Sequence, residues 1–125
     1  MSFSIPENKQ ELKQNLNLAC EALLDKKAED LTLLYFGKKS SLTDCFIIAT
    51  GTSDPHLKAL RNNLEKTLKD NKIETLSRDR FQPSGWLVLD AIDFVIHLFS
   101  REQRENYALE HLWKDADQFS PEDLH

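Results

Sequence analysis

The stretch that most restricts the fold is "DCFIIAT", Asp44 to Thr50, with five consecutive apolar residues from Cys45 to Ala49. A half-buried strand alternates apolar and polar residues, so an unbroken apolar run of this length predicts a strand covered on both faces. Such a strand belongs in the middle of a sheet. Gly51-Thr52-Ser53-Asp54-Pro55 follows it, offering a turn, an N-cap serine and a proline in the first turn of a helix. Leu57, Leu60, Leu64 and Leu68 then form an apolar helical stripe that Asp70-Asn71 closes. A buried strand feeding an amphipathic helix implies an α/β fold, with a right-handed parallel crossover to the next strand.

The flanking segments fit this frame. Ser4-Ile5-Pro6-Glu7 matches a capping box, and Leu12, Leu16, Ala19 and Leu23 predict an amphipathic helix ending near Lys27. Leu31 to Phe36 reads as a strand broken by Gly37-Lys38-Lys39-Ser40-Ser41, and Ile73 to Arg78 as a short strand. The loop "FQPSG" delivers "WLVLDAIDFVIHLF", Trp86 to Phe99, which reads as two strands around a tight turn. Trp86, Val88 and Asp90 share one face with Leu87 and Leu89 on the other; Phe94, Ile96 and Leu98 alternate with Val95, His97 and Phe99. Both faces are mostly apolar, so layers should cover them on two sides. Ser100 with Gln103 is a second capping box, opening a helical region with Tyr107, Leu109, Leu112 and Trp113. The expectation is a single α/β domain, residues 1–114, with a mixed five-stranded sheet flanked by helices and antiparallel hairpins beside the parallel crossover. Residues 115–125 read as a flexible acidic tail.

Composition narrows the function classes. A chain of 125 residues, 40% hydrophobic and 30% charged, makes one core, and four prolines and three glycines leave no linker. Neither a secretory pattern nor a run of about twenty apolar residues occurs, which predicts a soluble cytoplasmic protein without membrane contact. Cys20 and Cys45 lie in different predicted elements and form no CxxC, so they read as reduced core thiols rather than a disulfide or zinc site. With 16 Lys and Arg against 21 Asp and Glu, the net charge is −5. That opposes a general grip on nucleic acid and suits a basic partner. The acidity concentrates from Arg101 onward, where three Lys or Arg face seven Asp or Glu.

Three catalytic patterns can be weighed. Adjacent strands could pair Cys45 with His97, but a thiol opening an apolar run is ordinarily inert packing. Asp90, Asp93 and His97 could suggest a metal site, yet a strand separates Asp93 from His97 by about 13 Å. Aspartates at a tight turn more often bind its amides. The Thr50–Asp54 turn could cradle a phosphate, but a single glycine is not a phosphate-binding motif, and capping explains the residues. His97 itself suits a hydrogen-bonded sheet position. Trp86, Tyr107, Leu109 and Trp113 suit the core, the alternative being that one or two anchor a protein interface. No enzyme emerges, and no cofactor or metal is implied.

Taken together, "TDCFIIATGTS" (Thr43–Ser53), "WLVLD" (Trp86–Asp90), "DFVIHLF" (Asp93–Phe99) and the run Arg104, Tyr107, Leu109, Glu110, Leu112, Trp113 resemble the ribosomal silencing factor (RsfS, or Iojap-like) family. The likeness spans roughly residues 8 to 114 in order and spacing. It implies a nucleotidyltransferase-like core without catalytic residues, because such an enzyme needs a Gly-Ser turn and clustered carboxylates, whereas Gly37 precedes lysines here. It further implies a non-enzymatic translational repressor. Such a protein binds the large ribosomal subunit through a basic ribosomal protein, the one numbered fourteen. It blocks the small subunit sterically, with little direct nucleic-acid contact. The residues implied at the contact are Trp86, Leu87, Tyr107 and Leu109, with Asp90 and Glu110 meeting the partner's cations. An alternative reading is a small nucleotide-binding protein, or a degenerate nucleotidyltransferase-like enzyme, using the Thr50–Asp54 turn and His97. A homodimer is a further expectation left open, since the same apolar surface suits self-association. The chain departs from the family pattern at Cys45, at Asp79-Arg80 in place of Glu-Gly, and at Ile92-Asp93 in place of a Gly-Asp turn.

Overall fold

The computed structural model describes residues 10–36, 45–77, 84–108 and 116–124. The elements are α1 (Gln10–Asp25), β1 (Glu29–Tyr35), β2 (Cys45–Gly51), α2 (Asp54–Asp70), β3 (Leu76–Ser77), β4 (Trp86–Asp90), β5 (Phe94–Ser100), α3 (Arg101–Tyr107), β6 (Asp117–Phe119) and a closing 3₁₀ turn (Pro121–Leu124). The Ser4–Glu7 box, the Gly37–Ser41 break and Asp79-Arg80 lie outside the described residues.

The sheet is mixed, in the order β3-β4-β5-β2-β1-β6. The unbroken apolar run does form an interior strand: β2 pairs antiparallel with β1 and parallel with β5. Its parallel neighbour, however, is not the strand that follows α2. That short strand, β3, lies at the edge beside β4, and β5 takes the place next to β2. Burial explains the choice. Ile96, His97, Leu98 and Phe99 of β5 are buried in succession and need cover on both sides, whereas Leu76 of β3 is exposed.

The five strands read from the sequence are present, and β6 adds a sixth by pairing with Leu33 to Tyr35 of β1. The segment expected to fray as a tail therefore contributes to the sheet edge. Phe119 and Leu124 are buried in the main core, and this apolar anchorage outweighs the acidic residues between them.

Helices α1 and α2 pack on one face. Leu12, Leu16 and Leu23 meet Leu57, Leu60 and Leu64 over Leu33, Ile47, Ile96 and Leu98 of the sheet. The alternate residues Leu34, Ile48 and Phe99 form a second cluster on the opposite face with Phe36, Phe46 and Trp86. Both faces of the central strands are thus covered, as their composition requires.

Local signals explain the helix ends. Ser53 Oγ accepts from His56 N at 3.1 Å, and Pro55 occupies the first turn of α2. At the other end Lys72 N donates to Lys69 O and Ile73 N to Leu68 O, a Schellman closure with Lys72 at φ 63°. Lys27 closes α1 in the same way, at φ 63°. Gly51 is required where β2 turns into α2, because a Cβ there would sit 2.7 Å from the Leu57 side chain.

Candidate functional site

The β4–β5 hairpin organises the second face. Trp86 lies opposite Phe99 and Val88 opposite His97, which makes Trp86 and His97 diagonal neighbours on one surface. Trp86 Nε1 donates to His97 Nδ1 at 3.1 Å. The ring must therefore be neutral and carry its proton on Nε2, and burial agrees by pushing the imidazole down to about 4. Nε2 is itself buried and has no hydrogen-bond partner among the described residues. Aromatic rings surround the pair: Phe46 stands edge-on to His97 at 4.5 Å, and Phe99 lies 4.9 Å from Trp86.

Tyr107, at the end of α3, completes the cluster with its ring 4.4 Å from that of Trp86. Trp86 is half-buried and Tyr107 is 36% exposed, so the layer reaches the surface at this pair. The other expected contact residues are placed differently. Leu87 packs against the main core on the opposite face of the sheet. Asp90 ends β4, about 13 Å along the strand from Trp86, and its Oδ1 accepts from Ile92 N at 2.8 Å. The turn role expected for this aspartate is the one it has. Leu109, Glu110, Leu112 and Trp113 lie outside the described residues.

The catalytic patterns come apart in three dimensions. Cys45 points into the helix-covered core, while His97 faces the aromatic layer, so the sheet separates thiol from imidazole. Cys20 is a buried thiol pushed up to about 12, chiefly by desolvation, with Glu21 adding to the shift. Among the described residues no group of three His, Cys, Asp or Glu is placed to hold a metal ion. Around the Thr50–Asp54 turn, the Thr52 amide and both Ser53 oxygens are engaged within the chain. Thr52 N donates to His56 Nδ1 at 2.8 Å, His56 N to Ser53 Oγ and Leu57 N to Ser53 O. The His56 ring then reaches Lys26 O through Nε2 at 2.7 Å, tying α2 to the end of α1.

Two structural roles escape sequence reasoning. His56 was hidden within a capping motif that Ser53 alone explains. Arg104 was visible only as one letter of a motif, yet its guanidinium binds the Asp30 carbonyl, Thr50 Oγ1 at 2.9 Å and Thr32 Oγ1 at 3.0 Å. The Ser100–Gln103 box is half realised. Gln103 N donates to Ser100 Oγ, but its side chain binds Ser84 O, and Ser100 N turns to Gly85 O at 2.7 Å. Gly85 permits this approach at φ +85°, just before Trp86.

Comparison with known proteins extends these observations. The family "Ribosomal silencing factor during starvation" matches residues 9–125. Ribosomal silencing factor RsfS of Halalkalibacterium halodurans is 35% identical over 101 residues, 81% of this chain and 86% of that protein. The mouse protein "Mitochondrial assembly of ribosomal large subunit protein 1" is 32% identical, over 81% of this chain and 46% of its own length. A crystal structure of a Chromobacterium violaceum protein superposes with a TM-score of 0.76 at 33% identity, covering 82% of this chain and 85% of the other. Sequence and fold agree, and the chain belongs to the ribosomal silencing factor family.

Proposed function

We propose that this protein represses translation without catalysis, by binding the large ribosomal subunit and obstructing its association with the small one. The observation that carries the reading is the Trp86–Tyr107 pair, a partly exposed aromatic couple formed where the end of α3 meets the start of the β4–β5 hairpin. Aromatic anchors backed by a packed core are the residues that dominate protein interfaces. The name of the mouse relative adds the large ribosomal subunit as the assembly concerned. A net charge of −5 suits a basic ribosomal protein, the one numbered fourteen in the family pattern, rather than bare RNA.

Trp86 and Tyr107 form the centre of the proposed contact, with Leu109 and Glu110 beyond the described residues. Leu87 supports the hairpin from its other face, and Asp90 flanks the contact at a distance. Steric occlusion requires only a well-placed surface, which fits the dispersal of the candidate catalytic groups. The test is subunit joining followed by sedimentation, with purified large subunits pre-incubated with this protein. Joining should fall with the wild-type protein and recover with Tyr107→Ala, a change at a partly exposed position that leaves the core intact. Undiminished joining at saturating wild-type protein would sink the reading.

A further inference from the structure

We propose that Arg104 is the positioning residue of the Trp86–Tyr107 surface, setting the pose in which α3 presents Tyr107 to a partner. This rests on the reading of that surface given above. Helix α3 has only seven residues and buries none of them, so it has no apolar stripe to hold it against the sheet. Two turns of helix do not hold themselves together in water. Its single aromatic contact, Tyr107 on Trp86 and Phe99, lies at its last residue, so polar contacts must fix the rest of its orientation.

The polar ties differ in quality. Arg101 pairs with Glu29 at 2.7 Å and Asp30 at 3.0 Å, but all three side chains are well exposed, and such pairs contribute little. Gln103 holds the first turn to Ser84. Arg104 reaches inward from the turn that leads to Tyr107. One guanidinium nitrogen binds both the Asp30 carbonyl and the hydroxyl of the fully buried Thr50, and the other binds Thr32. Three acceptors from two strands thus meet one planar donor.

The sheet is locally adapted to this contact. The β1–β2 register slips between Glu29 and Thr32, and Asp30 adopts a left-handed φ of 48°. This bulge lets the Asp30 carbonyl face the guanidinium instead of a neighbouring strand. A lysine is a single point charge on a flexible stem and cannot meet the three acceptors in their fixed directions. Arg104 is therefore required for its fork, and it acts through Tyr107 three residues later rather than by touching the partner. A second cation offered directly to a basic partner would repel it.

The experiment combines a spectroscopic readout with a double-mutant cycle. In a Trp113→Phe background the Trp86 indole N–H resonance senses the ring current of Tyr107. Tyr107→Leu removes that ring. Arg104→Lys should move the same resonance in the same direction while far-UV circular dichroism and cooperative melting persist. Thr32→Val, which deletes one of the three acceptors of Arg104 together with the Thr32 hydroxyl's own bond to the Asp30 carbonyl, should move it part of the way and serves if Arg104→Lys fails to fold. For large-subunit binding, Arg104→Lys should weaken affinity about tenfold in the wild type and by no more than about twofold in Tyr107→Leu. An unmoved indole resonance, or fully additive losses of affinity, overturns the proposal. Should the wild-type protein not bind large subunits, the functional reading fails, and the indole resonance alone decides the role of Arg104.

Discussion

Trp86 donates its indole N–H to Nδ1 of His97 at 3.1 Å, across neighbouring strands of one hairpin. The bond exists only while the imidazole is neutral, and burial holds the ring at about 4. An unfolded chain binds the proton near 6.5, so between these values the unfolded state takes up more protons than the folded one. The stabilisation is fully present above pH 6.5 and is lost as pH falls toward 4. This residue should account for about 3 kcal/mol of acid destabilisation across that window. Denaturant melts at stepped pH, compared with His97→Gln, should show a shallower acid limb in the variant. Equal slopes would mean that His97 titrates normally in the folded protein.

Ile92 occupies the tip of the same hairpin at φ 73° and is 68% exposed. A β-branched residue is strained in this region, and no burial offsets the strain. Ile92→Gly should stabilise the protein by about 1 kcal/mol, the relief of strain exceeding the added freedom of the unfolded chain. A lowered midpoint in urea would show that the Ile92 side chain makes a stabilising contact.

Phe119 distinguishes an ordered sheet edge from a fraying tail. It is buried, in register with Leu33, while the residues on either side of it are polar. Phe119→Ala should cost about 3 kcal/mol, in the range for truncating a buried aromatic. A tail residue would cost almost nothing. Thermal melts of this variant, beside a chain shortened after Asp115, separate the two outcomes.

His56 joins the amide of Thr52 to the carbonyl of Lys26 through its two ring nitrogens. His56→Ala leaves both groups without this bridge and should cost about 1–2 kcal/mol. The loss should appear first as faster amide exchange at Thr52 and around the α1–β1 connection. Unchanged exchange there would argue that water replaces the ring without penalty.

Much of this was legible along the chain because its causes are local. Five apolar residues in a row demanded a strand covered twice, Ser53 and Pro55 marked the start of α2, and Asp90 announced its own turn. The candidate site was legible in part. Trp86 and Tyr107 come together, yet Leu87 faces the other way by strict strand alternation, and Asp90 lies at the far end of its strand. Nothing local marked β6, whose three residues carry a single apolar side chain.

The sequence by itself determined the helices, five of the six strands, the interior place of β2 and the capping of α2, since periodicity and turn chemistry act over a few residues. Only the tertiary structure decided that β5 and not β3 lies beside β2, that Trp86 supplies the hydrogen bond of His97, and that Arg104 joins α3 to Thr32 and Thr50. Those pairings span 11 to 72 residues of chain. The strand order is selected by which strand needs cover on both faces, and the two side-chain pairings by which polar groups can satisfy one another once the core has closed.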